Sequence, residues 1–207
     1  MQSHTQETQS ELTPEMALTI LKEGNLRFVN NLKAHRNLLE QVNETSEGQF
    51  PFATILSCID SRTSAELIFD QGLGDIFSIR IAGNILNEDI LGSMEFGTKV
   101  AGCKIIVVLG HTKCGAIIGA CDHLEMGNLT TLINKIQPAI FNEKTTAENR
   151  SGANINFVNN VTNIHVHLTI ERIRRESTII AELEQEGKIK IVGGVYDLDN
   201  GKVTFFE

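Results

Sequence analysis

The segment Lys104-Ile105-Ile106-Val107-Val108-Leu109-Gly110-His111-Thr112-Lys113-Cys114-Gly115 decides the fold of this 207-residue chain. Its first half is an apolar run rich in β-branched residues, which is typical of a strand buried on both faces of a parallel sheet. The run ends in a His-x-x-Cys spacing, and a helical pattern follows over residues 115–126. A buried strand that leads directly into a helix indicates an α/β fold.

The same order of strand, polar motif and helix occurs earlier in the chain. A short apolar run at residues 52–56 precedes Cys58-Ile59-Asp60-Ser61-Arg62, and a helical pattern occupies residues 64–69. Further outward, the patterns predict strands at residues 75–81, 188–192 and 202–206, and helices at residues 89–100 and, with breaks, 129–186. We therefore expect an α/β fold with a mostly parallel central β-sheet flanked by helices.

The ends of the chain set the domain boundaries. Residues 1–12 are rich in Gln, Ser, Thr and Glu and are expected to form a disordered tail. Residues 13–207 are expected to form a single domain, since this length suffices to bury a sizeable core. Within that domain, residues 38–48 are polar and are predicted to form a loop.

An amphipathic helix is predicted to open the domain. Thr13 and Pro14 form a helix start, because Thr caps helix N-termini and Pro suits the first helical position. Apolar residues recur from Met16 to Val29 on one face, which Gly24 interrupts. Such a face needs a surface to cover, either in its own domain or in a partner subunit.

Composition excludes several classes of protein. The formal net charge of −8 argues against non-specific binding to nucleic acid or to an anionic membrane. No apolar stretch reaches the ~18 residues of a candidate membrane span, and the polar N-terminus does not resemble a signal peptide. A cytoplasmic location is therefore expected. In that compartment the four cysteines are expected to bind metal or to stay reduced, rather than to form disulfides.

Two polar motifs at strand ends predict a metal site. Functional residues in parallel sheets lie at the carboxyl ends of the strands, where Cys58 and His111 both fall. Two Cys thiolates and one His suit zinc and leave a fourth tetrahedral position for water or substrate. Gly110 and Gly115 are predicted to give the tight turn that brings His111 and Cys114 onto one centre.

The remaining cysteines and histidines have simpler interpretations. Buried cysteines are common as small apolar residues, and we expect this role for Cys103 and Cys121. His165 and His167 alternate in a segment with a helical pattern, where residues two apart point in different directions. Surface or packing roles are therefore expected for both.

The two motifs together resemble those of the β-class carbonic anhydrases. The resemblance rests on Cys58-x-Asp60-Ser61-Arg62, on Gly110-His111-x-x-Cys114-Gly115 and on an opening helix of the type Thr-Pro-Glu-x-Ala-Leu at residues 13–28. It extends over most of the chain, from Thr13 to the closing strands.

The resemblance implies a division of labour among these residues. Cys58, His111 and Cys114 would bind Zn²⁺, and Arg62 would orient the Asp60 carboxylate toward zinc-bound water. Zinc-bound hydroxide would then attack CO₂ to give bicarbonate and a proton in a reversible reaction. Asp60 is also a candidate fourth zinc ligand in a closed state of the site.

The resemblance also implies a substrate pocket and an assembly. Gln49 matches a glutamine that hydrogen-bonds substrate, and Phe77 and Phe96 match positions that line an apolar CO₂ pocket. Ordinary core packing is the alternative for both phenylalanines. Family members form homodimers or homotetramers, in which an N-terminal helical arm packs on a partner subunit. Gln49 of one chain would then face Phe77 and Phe96 of another.

Two departures from the family pattern stand out. Ile81 replaces an asparagine that many members carry after the second strand. Ile55 occupies the position of a Trp that some members use in a regulatory bicarbonate site. We therefore expect that site to be absent, although Arg80 and Tyr196 match other parts of it. Two alternative functions remain open at this point: hydrolysis of CS₂ or COS on the same scaffold, and a non-catalytic zinc-binding role.

Overall fold

A computed structural model describes residues 3–206 of the chain. The strands are β1 (Ala53–Ser57), β2 (Ile76–Arg80), β3 (Ile105–His111), β4 (Lys190–Tyr196) and β5 (Val203–Phe206). The helices are α1 (Gln6–Glu11), α2 (Pro14–Val29), α3 (Leu38–Glu44), α4 (Ala65–Ile68), α5 (Glu88–Glu95), α6 (Gly115–Cys121), α7 (Gly127–Ile133), α8 (Gln137–Asn142), α9 (Ile155–Glu176) and α10 (Thr178–Gln185). Short 3₁₀ turns lie at Ala82–Asn84 and Asn134–Ile136, and a π-helical turn, Phe96–Val100, extends α5.

The five strands form one sheet in the order β2-β1-β3-β4-β5. Strand β1 pairs in parallel with β2 and β3, and β3 pairs in parallel with β4. Only β5 is antiparallel to its neighbour. All residues of β1 and β3 are buried, as their continuous apolar runs predict. The prediction of an α/β fold with a mostly parallel sheet is confirmed.

Helices cover both faces of the sheet. Along β3, Ile105, Val107 and Leu109 join a core cluster with α2 and α4, whereas Ile106 and Val108 join a second cluster with α5, α9 and α10. This alternation is the period of two that a strand imposes on its side chains. A third apolar cluster lies beyond the carboxyl ends of the strands and contains Cys58 and Cys114 together with residues of α6 and α9.

Helix α2 packs on the sheet of its own chain. Its buried face includes Ala17, Leu18 and Leu21. Gly24 allows a close approach to α4, because a Cβ atom there would lie 1.8 Å from the backbone oxygen of Phe69. The glycine that interrupts the apolar face of this helix is therefore explained by a close contact within the same chain. The packing of this helix on a partner subunit remains a prediction.

Two predictions about the N-terminal region are wrong. Residues 6–11 form α1 instead of a disordered tail, since Thr5 and Thr8 make a capping box and the buried Gln9 amide donates to the Pro51 and Ala101 carbonyls. The predicted tail also includes residues 1 and 2, which lie outside the described residues. The predicted loop over residues 38–48 contains α3.

The buried Gln41 explains why α3 forms in this polar segment. Its side-chain oxygen accepts a hydrogen bond from the Leu73 backbone N–H, so that the helix is fixed to the body of the domain. Among residues 3–206, the structure contains no helix that is both long enough and apolar enough to cross a membrane.

Candidate metal centre

The candidate metal centre lies where two central strands end side by side. β1 and β3 are parallel neighbours, and Ser57 at the end of β1 pairs with Leu109. Cys58 follows Ser57 directly, and His111 is the last residue of β3. Cys114 occupies the N-cap position of α6, three residues beyond His111. The register of the sheet therefore brings together residues that are more than 50 positions apart in the sequence.

The three side chains converge on one point. The Sγ atoms of Cys58 and Cys114 and a ring nitrogen of His111 all lie within 4.8 Å of one another. The two sulfur atoms are 4.0 Å apart, and both cysteines are free thiols. All three residues are buried, with exposed fractions of 4% or less. Three ligand atoms at this separation can surround one cation and leave a coordination position open.

The hydrogen bond at His111 fits metal binding. Its Nδ1 lies 2.9 Å from the Thr112 carbonyl oxygen, and since a carbonyl only accepts, Nδ1 carries the proton. Nε2 is then an unprotonated acceptor, and it is buried with no hydrogen-bond partner. An unpartnered lone pair beside two thiols is costly unless a cation binds it. The imidazole thus has the tautomer that a metal ligand needs.

The two thiols are unequal. The Cys114 thiol donates a hydrogen bond to the sulfur of Cys58, and this bond, together with backbone donors such as the Gly83 N–H, lowers the pKa of Cys58 to about 4 despite its burial. The same hydrogen bond and burial raise the pKa of Cys114. One proton shared between two buried sulfurs marks a position where a divalent cation would be strongly favoured.

The other two described cysteines lie away from this centre. Cys103 and Cys121 are buried, and burial raises the pKa of Cys103 to about 12 and that of Cys121 to about 11. Both therefore remain neutral thiols at physiological pH. Their predicted role as small apolar residues is confirmed.

The turn that connects His111 and Cys114 differs from the prediction. Neither Gly110 nor Gly115 has a positive φ, and the left-handed residue of this turn is Lys113, with φ of 56°. Gly110 serves close packing instead, because a Cβ atom there would lie 2.8 Å from Cγ2 of Val166 on α9. The assignment of the tight turn to the two glycines is therefore wrong.

Asp60 and Arg62 form a bidentate pair in the loop after β1. The Arg62 Nε and backbone N–H donate to Asp60 Oδ1 at 2.9 and 3.0 Å, and Nη2 donates to Oδ2 at 2.8 Å. These hydrogen bonds hold the pKa of Asp60 well below its usual range, and the neighbouring His111 lowers it further. The carboxylate is consequently ionised at every pH at which the protein would work.

Two residues hold the loop that carries Cys58 and Asp60, and the sequence did not predict this role for either of them. Arg80, at the end of β2, donates from Nε to the Cys58 carbonyl at 3.0 Å and from Nη2 to the Asp60 carbonyl at 2.6 Å. Thr63 donates from Oγ1 toward the same two carbonyls. Only the register of β2 beside β1 could have revealed the contact of Arg80.

The expected substrate residues lie apart from the three ligands. Phe77 on β2 and Phe96 after α5 are neighbours, with ring centroids 6.1 Å apart, and they line a surface cavity of about 620 Å³. None of the three ligand residues lines this cavity. Gln49 is exposed in the segment before β1. Within one chain, the structure brings the two phenylalanines together but joins neither them nor Gln49 to the ligand cluster.

Comparisons with known proteins agree on one family. A family model described as carbonic anhydrase matches residues 53–203. The chain is 35% identical over 197 residues to carbonic anhydrase 2 of Mycobacterium tuberculosis, and the match covers 92% of each protein. A β-carbonic anhydrase structure from Aspergillus fumigatus superposes with a TM-score of 0.73 at 22% identity, over 93% of this chain and 90% of that chain. A structure from the study of two tetrameric β-carbonic anhydrases of Sordaria macrospora gives a TM-score of 0.70 at 21% identity, over 81% of this chain and 89% of that chain.

Proposed function

Because the chain belongs to the β-class carbonic anhydrase family, we propose that it hydrates CO₂ reversibly to bicarbonate and a proton with Zn²⁺ held by Cys58, His111 and Cys114. The observation that carries this proposal is the convergence of three buried ligand atoms, one of them the unpartnered Nε2 of His111. Two thiolates and an imidazole match the ligand preferences of zinc better than those of Mg²⁺ or Ca²⁺, which favour oxygen.

The proposed mechanism assigns separate roles to the cation and to the dyad. Bound zinc supplies a Lewis acid that lowers the pKa of water to about 7 and so provides hydroxide at neutral pH. Asp60 would accept a hydrogen bond from the nucleophilic water and so fix its orientation. Arg62 would keep the Asp60 carboxylate ionised and aimed, since three of its N–H groups already donate to that carboxylate.

The position of Asp60 supports an open site. Both of its carboxylate oxygens are engaged by Arg62, and the cluster of candidate ligands consists of Cys58, His111 and Cys114 alone among the described residues. We propose that Asp60 leaves the fourth coordination position to water at neutral pH. A closed state, with Asp60 as fourth ligand, would require the carboxylate to leave the guanidinium.

We propose that the substrate pocket is completed by a second copy of the chain. The cavity beside Phe77 and Phe96 offers the apolar surface that CO₂ needs, but it opens at the edge strand β2. In a homodimer, Gln49 of one chain would approach this cavity of the other. The regulatory bicarbonate site would be absent, because Ile55 is fully buried in the core and the Arg80 guanidinium is occupied by two backbone carbonyls.

Exposed apolar side chains support a homodimer or homotetramer. On α2, Met16, Leu26 and Val29 are 47%, 63% and 42% exposed, and on the turn after α5 Val100 is 70% exposed. Contiguous apolar surface marks protein interfaces, and we propose that these side chains contribute to one. Sedimentation velocity should show an oligomer, and Leu26→Glu should shift it toward monomer if the α2 face is the arm that packs on a partner. An oligomer that is insensitive to this change would exclude that surface.

Stopped-flow CO₂ hydration by the zinc-loaded protein between pH 6.5 and 9 tests the activity. Fast hydration that rises with pH supports the proposal, and activity that appears only above pH 8 indicates that Asp60 closes the site at lower pH. If one zinc per chain is bound but CO₂ is not hydrated, parallel assays with CS₂ and COS separate a different hydrolase from a non-catalytic zinc protein. The single domain over residues 13–207 and the cytoplasmic location are further proposals, which limited proteolysis and cell fractionation test.

A further inference from the structure

A buried histidine on α9 reaches the edge of the candidate metal centre. His165 is 4% exposed, and its Nε2 lies 2.9 Å from the backbone oxygen of Gly83. Since a carbonyl only accepts, Nε2 is the donor, and the tautomer of the neutral ring is fixed. Burial lowers the pKa of His165 to about 4, and the charge of Arg172 lowers it further, so the ring is neutral at physiological pH.

The packing of α9 on the sheet fixes the position of His165 relative to the strands. The next residue, Val166, packs closely over two strand glycines: a Cβ atom would lie 2.8 Å from its side chain at Gly110 and 2.7 Å at Gly193. These two positions therefore favour glycine, because a larger residue would push the helix away from the sheet. Because Val166 packs on these two glycines, the imidazole of His165 lies against the turn that follows β2.

That turn contacts a candidate zinc ligand directly. The Gly83 N–H donates a hydrogen bond to Sγ of Cys58 at 3.3 Å. Gly83 and Asn84 both have positive φ values, 64° and 40°, so two successive residues adopt a left-handed conformation. Non-glycine residues rarely adopt it, and a turn of this kind persists only when its surroundings hold it in place. The hydrogen bond from His165 to the Gly83 carbonyl is one such restraint.

We propose that His165 is a positioning residue for the metal centre, because its Nε2–H fixes the Gly83 carbonyl and thereby the backbone conformation of Gly83, whose N–H donates to the sulfur of Cys58. The inference rests on the proposed function, since it takes Cys58 as a zinc ligand. A hydrogen bond to a thiolate withdraws negative charge from its sulfur. It thereby offsets part of the strong electron donation from two thiolates, which would otherwise make the cation a weaker Lewis acid. Partners of this kind outside the ligand set typically contribute 10–100-fold to metal affinity or activity.

Substitutions at His165 separate positioning from packing. His165→Leu removes the donor, whereas His165→Gln keeps an N–H near the position of Nε2. His167→Leu is the matched control, because this exposed histidine lies on the same helix and stacks on Phe206 instead. Zinc affinity is measured by chelator competition, and the thiolate-to-metal charge-transfer band is recorded after substitution with Co²⁺.

The expected result is specific to the lost donor. His165→Leu should weaken zinc binding about 10–100-fold, because the sulfur of Cys58 is no longer held in its ligand position. It should also move the charge-transfer band to longer wavelength, because a thiolate without its hydrogen bond is easier to oxidise. His165→Gln should restore both properties, and His167→Leu should match the wild type. Unchanged zinc affinity and an unchanged band in His165→Leu, with lower thermal stability alone, would reduce His165 to a packing residue.

A measurement on the wild type covers the case in which His165→Leu does not fold. In protein loaded with cadmium-113, a scalar coupling between the metal and the Gly83 amide proton would report the hydrogen bond to the Cys58 sulfur directly. Absence of that coupling, with metal bound, overturns the inference and leaves the proposed function intact. A wild-type protein that binds neither zinc nor cadmium overturns both.

Discussion

The substitution Asp60→Asn tests the dyad most directly, because it changes one atom and a charge. The carboxylate accepts three hydrogen bonds from Arg62, two at Oδ1 and one at Oδ2. An asparagine can keep the pair at Oδ1, but its amide nitrogen would then face the Nη2 donor of Arg62. The rotated amide would satisfy Nη2 and lose the other two. Either orientation weakens the pair and removes the negative charge.

We expect Asp60→Asn to reduce the rate of catalysis far more than the stability of the fold. The Arg62 side chain is 55% exposed, and ion pairs with an exposed partner add little to stability. We therefore expect the melting temperature of Asp60→Asn to change by less than about 4 °C and its zinc content to stay at the wild-type level. A positioned group that handles the reacting proton contributes about 100- to 10,000-fold to the rate, which corresponds to about 3–5 kcal/mol of activation free energy. The expected variant is folded and zinc-loaded, and nearly inactive.

Stopped-flow CO₂ hydration, with zinc content measured on the same samples, provides the assay. Asp199→Asn is the matched control, because Asp199 is an exposed carboxylate that pairs with Lys113 in the loop beside the centre and does not contact the dyad. It should retain wild-type kcat/KM. If Asp60→Asn keeps full zinc and full kcat/KM, Asp60 has no part in the mechanism. An equal loss in both variants would point to the general charge of the region instead of the dyad.

Three further predictions concern metal binding, acid stability and packing. Cys114→Ser should lose bound zinc and Cys121→Ser, seven residues along the same helix, should retain it, as metal analysis after dialysis will decide. Burial raises the pKa of Glu143, but hydrogen bonds and a neighbouring guanidinium outweigh burial and lower this pKa to about 2. The ionised carboxylate therefore stabilises the fold fully above the unfolded pKa of about 4.5. This stabilisation is lost as the pH falls toward 2. Urea unfolding between pH 6 and 3.5 should accordingly show a weaker loss of stability in Glu143→Gln than in the wild type, and parallel losses would contradict this. Gly24→Ala should lower the free energy of unfolding by at least about 1–3 kcal/mol through overpacking. Gly92→Ala should raise this free energy by about 0.5–1 kcal/mol, because there is open space around its Cβ position. Calorimetry that ranks the two variants in the opposite order would refute the packing argument.

Local patterns in the sequence predicted the central strands of the sheet and the cluster of candidate metal ligands. The buried runs before Cys58 and His111 could only be central strands, and parallel neighbours end at the same edge of a sheet. The ligand cluster therefore followed from strand assignment and residue type. The dyad did not, since the spacing of Asp60 and Arg62 alone gives no role, and its assignment came from the resemblance to a family.

Other parts of the structure depend on contacts that spacing does not reveal. Helix α1 forms in a polar tail because the buried Gln9 finds two backbone carbonyls some 40 and 90 positions away. The turn before Cys114 uses Lys113 in a left-handed conformation, although the nearby glycines would adopt it at lower steric cost. The supports of the metal centre come from β2 and α9, through Arg80 and His165, and each contact requires knowledge of which elements are neighbours.

The edge of the sheet gives the strongest structural reason to expect a two-chain active site. Strand β2 has no partner on its outer side in the described chain, and an uncovered edge with apolar neighbours favours association. Phe96, which is 53% exposed, packs against Phe77 of this strand, and Arg80 at its end holds the loop of Cys58 and Asp60. A second chain that covered β2 would bury the apolar cavity and restrict movement of the dyad loop at the same time. If the proposed dimer forms through β2, we expect assembly to complete the substrate pocket and to stabilise the catalytic geometry through a single contact.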